Sequence, residues 1–329
     1  MKKIDFLAIG DMTTDAFIRL SEAHVVESVN HETEEICLSF GDKVPYEFVR
    51  VVRAVGNAAN AAVAASRLGL SSALVADVGN DQNGKECLTE LKKNNVLAKY
   101  VHTHKGIETN YHYVLWYGSE RTILVKHQQF PYALDNMNEP GWIYLTSLGE
   151  HSLPYHNEIV KYLDLHRNVK LAFQPGTYQM KFGLEAMAGI YKRTTFFVCN
   201  VEEARRILKD DKSDVATMMR TIHALGPQTV CVTDGVKGAY ALENDIAYYM
   251  PIYPDVKPPY ERTGAGDAFS STVTAALALG KTLQEALLWA PVNSMNVVQH
   301  IGAQEGLLTQ EKIADYLKLA PADYLPKKI

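Results

Sequence analysis

The 329-residue sequence has no apolar run approaching the ~20 residues needed to cross a bilayer, which excludes a membrane-spanning helix. It also lacks a dominant charge: 33 Lys and Arg stand against 38 Asp and Glu, for a formal net charge of -5. So mild a balance gives no electrostatic case for nucleic acid or an anionic membrane surface as partner. Cysteine is scarce and scattered. Cys37, Cys87, Cys199 and Cys231 show no C-x-x-C spacing, as expected of reduced thiols in a cytoplasmic protein. The opening MKKIDFLAIG has a basic pair, but Asp5 and then Asp11 interrupt the apolar stretch, so no signal peptide is expected. Repeats, low-complexity tracts and linkers are missing too, and nothing divides the chain.

What is present is an alternation. DFLAIG, SALVADVG, GWIYLTSLG, VKLAFQPG, TTFFVCN and TVCVTDG are short apolar runs, each ending at a turn residue. Segments with helical patterning separate most of them: NAANAAVAASRLG, YHNEIVKYLDLHR, GLEAMAGIYKR and VEEARRILK. The pattern predicts an α/β fold with a mostly parallel central sheet and helices on both faces. Ligands of such sheets bind at the carboxyl ends of the strands, where Gly10, Gly79, Asn200 and Gly235 fall.

Two segments break the rhythm. Residues from about 16 to 53 carry little helical pattern, and residues 108 to 127 read as a hairpin turning at Gly118-Ser119. The first strand of that hairpin puts Tyr111, Tyr113, Leu115 and Tyr117 on one face and His112, Val114 and Trp116 on the other. Both faces are largely apolar and need cover. The expectation is one α/β domain over 1–329 with a small β-lid. One lid face would close over a ligand and the other would pack on a second subunit, giving a homodimer.

Four pieces of sequence converge at the strand ends. TGAGDAF places Gly264, Ala265 and Gly266 at the start of a helix, where free backbone N–H groups favour an anion, yet Asp267 follows at once. GDMTTD puts Asp15 beyond the first strand. VGNAAN supplies Gly56, where backbone can come close, and Asn57 and Asn60 one helical turn apart. NVEE puts Asn200 and Glu203 at a strand-to-helix junction. Each has a plainer reading: Asp15 as a loop or cap carboxylate, Asn60 as a partner for buried backbone, Asn200 and Glu203 as a capping box.

Together these motifs resemble the ribokinase-like (PfkB) family of carbohydrate and nucleoside kinases over nearly the whole chain. TGAGDAF looks like that family's second signature, VGNAANAAVAASRLG its first, VGNDQNG the turn after the next strand and NVEE its N-x-x-E motif; VTDGVKGA and HIGAQ fit its nucleotide-binding half. The resemblance implies that Asp267 is the catalytic base and that the N–H groups of Gly264, Ala265 and Gly266 form an anion hole. It implies that Asp15, Gly56, Asn57 and Asn60 bind acceptor hydroxyls. Asn200 and Glu203 would organise phosphate, water and Mg²⁺, and Thr233 and Gly235 would lie near ATP. Pro291 stands where Asn or His is common in the adenine-pocket helix, which leaves Asn293 as the candidate there. The implied function is Mg²⁺-dependent transfer from ATP to an alcohol of a small sugar, with a nucleoside or sugar phosphate as alternative acceptor and ADP as alternative donor. Glu261-Arg262 replaces the usual Asp-Thr of a monovalent-cation site found in some members, so potassium activation stays open.

This also explains a carboxylate beside a phosphate nest. Asp267 would face the incoming hydroxyl and take its proton while the nest stabilises developing charge. A silent sugar or nucleotide sensor on the same fold would have no use for it. Other motifs fit less well. GNDQNGKE, Gly79 to Glu86, approaches a P-loop but lacks Ser or Thr after Lys85. No G-x-G-x-x-G follows a strand. His102 and His104 lack a Cys or carboxylate partner at ligand spacing and read as surface histidines. For the acceptor, the aromatic lid strand suits stacking on a base, whereas Lys43, Arg50, Arg53, Arg121 or Lys126 would hold a sugar phosphate.

Overall fold

A computed structural model describes residues 3–27, 34–118, 120–134 and 137–329. In chain order the strands are β1 Phe6–Ile9, β2 Thr13–Leu20, β3 His24–Glu27, β4 Glu34–Cys37, β5 Tyr46–Val55, β6 Ser72–Gly79, β7 Leu97–His104, β8 Tyr111–Tyr117 and β9 Glu120–Leu124. They continue as β10 Trp142–Leu145, β11 Lys170–Phe173, β12 Thr194–Asn200, β13 Thr229–Thr233, β14 Ala239–Glu243, β15 Ile246–Met250 and β16 Lys327–Lys328. The helices are α1 Asn57–Arg67, α2 Gln82–Lys93, α3 Leu153–Leu165, α4 Thr177–Ala186, α5 Ala188–Arg193, α6 Val201–Leu208, α7 Val215–Ala224, α8 Ala265–Ala278, α9 Leu283–Val297 and α10 Gln310–Lys318.

The central sheet runs in the order β16-β15-β14-β13-β12-β11-β10-β1-β6-β7. From β13 to β7 neighbouring strands are parallel, and β14 to β16 form an antiparallel margin. The strands buried on both faces are the continuous apolar runs of the sequence, as parallel sheets require. One core layer joins the sheet to α1, α8 and α9, and a second, on the opposite face, takes in α3, α6 and α7. The fold class is the expected one. The alternation did not reveal β7, whose side chains are mostly half-buried at the sheet edge, nor the β14–β15 hairpin.

The lid is a second sheet, ordered β5-β2-β8-β9, with β3 and β4 as a separate ribbon. The β8–β9 hairpin pairs Tyr113 with Leu124 and Tyr117 with Glu120. Its turn residue Ser119, like 28–33 of the first lid segment, lies outside the described residues. His112, Val114 and Trp116 are the buried face of β8, while Tyr113 stays 49% exposed on the other. Among the described residues no helix is long and apolar enough to cross a membrane.

Small side chains position the centre. Ala58, Ala59, Ala61, Ala62 and Ala65 of α1, and Ala268, Ala275 and Ala276 of α8, are completely or almost completely buried. With so little side-chain bulk the two helices approach closely, as small residues allow, and polar residues near their starts come together.

Candidate active site

Helix α8 begins at the turn the sequence singled out. Gly264 is its N-cap at φ 84°, in the left-handed region where glycine carries no steric penalty. Space forbids a side chain there as well, because a Cβ would lie 2.2 Å from the Ala303 Cβ. Gly266 faces open space, where a ligand can reach the backbone. The first N–H groups of α8 have no carbonyl one turn earlier to bind, so they are free for an anion.

This turn is the wall between two cavities. One, of about 360 Å³, is lined by Asp11, Asp15, Gly56, Asn57, Asn60, His112, Thr263 and Asp267. The other, of about 290 Å³, is lined by Thr233, Gly235, Arg262, Ala265, Gly266 and apolar side chains that include Val236, Met250, Phe269 and Met295. Thr263 and Asp267 thus face one cavity, and Arg262, Ala265 and Gly266 the other.

Asp267 is held from two sides. Asn60 Nδ2 donates to its Oδ2 at 2.8 Å, and Gln174 Nε2 to its Oδ1 at 3.3 Å. Burial pushes the Asp267 carboxyl above the usual carboxylate range, and the two amide donors work against that rise. Asn60 was expected to hold acceptor hydroxyls. It lines the cavity, gives one of its two amide N–H groups to Asp267, and its Oδ1 accepts from Gln304 Nε2 at 2.9 Å. Gln174 was not anticipated. It follows β11 in AFQPG, at a strand's carboxyl end, and that position was the only signal it gave. Tyr144 donates to its Oε1 and fixes the amide's orientation.

On the lid side, the register of β2 and β8 sets Asp15 beside His112. Asp15 Oδ1 lies 3.4 Å from His112 Nδ1. Among the described residues, Asp15 Oδ1 and His112 Nε2 are buried with no hydrogen-bond partner. Asp11, also missed as a site residue, is buried in the same cavity. It accepts a hydrogen bond from the Tyr132 hydroxyl at 2.8 Å. Burial, opposed by that hydrogen bond, pushes its carboxyl up to about 7. Gly56 has φ 103°, and a Cβ there would meet the Asp11 carbonyl at 2.8 Å, so close backbone contact is its role. Asn57 opens α1 on the cavity wall.

Asn200 and Glu203 form a capping box. Glu203 N donates to Asn200 Oδ1 at 2.8 Å and Asn200 N to Glu203 Oε2 at 2.9 Å. Burial raises the Glu203 carboxyl, and the negative charge of Asp267 raises it further. Arg206 acts against that rise. The side-chain oxygens of Asn200 and Glu203 are the hard donors that Mg²⁺ takes. Strand register sets Asn200 level with Thr233, so both stand at carboxyl ends of neighbouring strands.

Two expectations fail here. Asn293 does not line the second cavity. It is completely buried, donates to Thr272 Oγ1 at 2.8 Å and accepts from Leu308 N at 2.9 Å. Pro291, Ser294 and Met295 of α9 face the cavity instead. Second, His102 and His104 do have a carboxylate partner: Asp77, across the β6–β7 register. The P-loop-like stretch is excluded on structural grounds too. The Asp81 carboxylate caps α2 through Gly84 N at 2.8 Å, so an acid occupies the position where a phosphate would sit.

A two-chambered site divided by a helix N-terminus, with a fixed carboxylate on one side, is the layout of a group-transfer enzyme. The model of the pfkB family carbohydrate kinases matches residues 24–310, and the chain belongs to that family. It is a carbohydrate or nucleoside kinase. The ribokinase of Bacillus subtilis is 27% identical over 272 residues, 80% of this chain and 87% of the relative. Among solved structures, the nucleoside kinase of Methanocaldococcus jannaschii superposes with a TM-score of 0.76 at 18% identity, over 97% of this chain and 100% of that one. A putative ribokinase II from E. coli, in complex with ATP and Mg²⁺, superposes at 0.74 with 16% identity, over 97% and 100%.

Proposed function

We propose that the chain transfers the γ-phosphoryl group of ATP, with Mg²⁺, to an alcohol of a small uncharged sugar. The observation that carries this reading is the α8 turn between the cavities, with Asp267 facing the more polar one and the Ala265–Gly266 backbone the more apolar one. The apolar cavity suits a nucleotide base, with Thr233 and Gly235 at its edge. Asp15 and Asn57 hold acceptor hydroxyls, and Asp15 Oδ1, buried beside His112 with no hydrogen-bond partner among the described residues, is free to accept from such a donor. Asp267 takes the proton of the reacting hydroxyl. Asn60 and Gln174 keep its carboxylate aimed, and the N–H groups at the start of α8 donate to the charge that develops on the transferred group. Glu203 and Asn200 are the residues that would hold Mg²⁺ and its waters, and the ion supplies neutralisation of phosphate charge. The whole chain works as one unit, with the lid strand β9 excluding water through Ile123 beside the acceptor.

The charge distribution supports an unphosphorylated acceptor. Arg50 pairs with Glu305, Arg53 with Glu86, Arg121 with Glu120 and Glu261, and Lys126 with Glu108, while Lys43 is exposed. Among the described residues, no Lys or Arg lines the acceptor cavity, and three carboxylates do. Tyr111 and Tyr113 do not line it; the rings that do are those of Phe17, His112 and His127. The lid also carries exposed apolar residues, among them Val25, Val26, Phe40, Val49 and Tyr113, which supports a homodimer through it; a monomer in sedimentation at micromolar concentration would overturn that part. A coupled assay of ADP release over sugars, sugar phosphates and nucleosides tests the acceptor. Turnover with neutral sugars and none with sugar phosphates is expected; preference for a phosphorylated acceptor or a nucleoside would contradict this reading.

A further inference from the structure

One cluster of ligand-type side chains is not used by the kinase chemistry. Asp77 lies near the end of β6, and edge strand β7 sets His102 opposite it and His104 level with Gly79. Residues two apart on a strand share a face, so this register gathers one carboxylate and two imidazoles on one side of the sheet. Asp77 Oδ1 is 2.7 Å from His104 Nε2 and 3.4 Å from His102 Nδ1. One ligand atom from each of the three residues lies within 4.8 Å of the others. The Asp77 side chain is 5% exposed, whereas those of His102 and His104 keep 26% and 19%. The group is therefore anchored below and open to solvent above. The Phe130 ring, 5.3 Å from that of His104, packs beside it.

We propose that Asp77, His102 and His104 form a binding site for a divalent transition-metal ion of the zinc type, separate from the Mg²⁺ that accompanies the nucleotide. Two imidazole nitrogens and one carboxylate oxygen are a borderline-soft donor set that suits Zn²⁺ and its neighbours, whereas Mg²⁺ and Ca²⁺ take oxygen ligands. Tetrahedral zinc with bonds of about 2.0–2.2 Å sets its ligand atoms roughly 3.3–3.6 Å apart, a spacing reached here by small side-chain rotations. All three ligands sit on paired strands, so little ordering is left to be done on binding. The fourth position falls to water on the open side. The metal takes the place of the proton shared between His104 Nε2 and Asp77, and that proton goes to solvent. Among the described strands β7 pairs only with β6, at the sheet margin, and the ion would fasten the two together.

The test uses the full-length protein, stripped with chelator and free of nucleotide, in buffer with excess Mg²⁺. Calorimetric titration with Zn²⁺ should show one equivalent bound and a higher melting temperature, since an ion that binds only the native state stabilises it. Co²⁺ should give the visible absorption of a nitrogen–oxygen tetrahedral site. His102→Gln with His104→Gln keeps hydrogen-bond donors for Asp77 but removes both nitrogen ligands. It should lower Zn²⁺ affinity by more than the ~10–100-fold that loss of an outer-shell partner costs, with kinase activity kept. If the double variant fails to fold, the more exposed His102→Gln alone should show the same loss. Absence of saturable Zn²⁺ binding in the wild type, or equal binding in the variants, would leave Asp77 as a plain hydrogen-bond acceptor and overturn the proposal.

Discussion

Asn60 donates from Nδ2 to Oδ2 of Asp267 at 2.8 Å, joining α1 to the first turn of α8 across 207 positions of sequence. The contact links the two signature segments physically: the alanine face of α1 lets the helices come close enough for one to aim the other's carboxylate.

Replacing Asn60 with Ala should therefore act on turnover more than on acceptor binding. A hydrogen bond to a charged group is worth about 1.5–3 kcal/mol, so kcat should fall ~10- to 100-fold with a smaller change in acceptor KM. Asn60 holds the Asp267 carboxyl down, and its loss should move the acidic limb of the pH–rate profile to higher pH. A purely structural role would leave that limb in place.

Asp11 gives a stability prediction with a definite sign. Burial in the folded protein pushes its carboxyl up to about 7, from the ordinary aspartate value of about 3.8. Between those values the folded protein keeps a proton that the unfolded chain has lost, so the contribution of Asp11 to stability falls as pH rises from about 4 to about 7. Asp11→Asn removes that dependence. Denaturant unfolding at pH 5 and pH 8 should show the variant gaining on the wild type at the higher pH. A stability difference that is the same at both would contradict the buried, proton-holding state of Asp11.

Glu203 has two separable roles. Glu203→Gln retains an oxygen for Asn200 N, so the capping box and the melting temperature should survive. If the carboxylate also organises Mg²⁺, the Mg²⁺ concentration for half-maximal activity should rise several-fold. An unchanged magnesium titration would reduce Glu203 to a cap.

Much of this architecture was legible in the sequence because burial on both faces forces continuous apolar strands, and because Gly264 and Gly56 occupy turns that only glycine fits. What was hidden depends on approach between distant elements. Nothing local to Asn60 says that its amide meets Asp267. Nothing in AFQPG marks Gln174 as the second donor. Asp11 gains its raised carboxyl from burial, against the hydrogen bond it accepts from Tyr132, 121 positions away. Asn293 failed as an adenine contact because helix phase, with Pro291, Ser294 and Met295 facing the cavity, turns it into the core. The missed pairing of His102 and His104 with Asp77 has the same origin: β7 is a half-exposed edge strand whose register only the folded sheet supplies.

The central claim is that Asp267 is the base, and Asp267→Asn tests it most directly. Asn keeps size and can still accept from one of the two amide donors, Asn60 or Gln174, but cannot take the proton. Steady-state kinetics should show kcat reduced by roughly 10²–10⁴-fold, the usual value of general-base assistance, with acceptor KM little changed and nucleotide binding equal or tighter. Near-normal turnover of the Asn variant with every accepted substrate would contradict it.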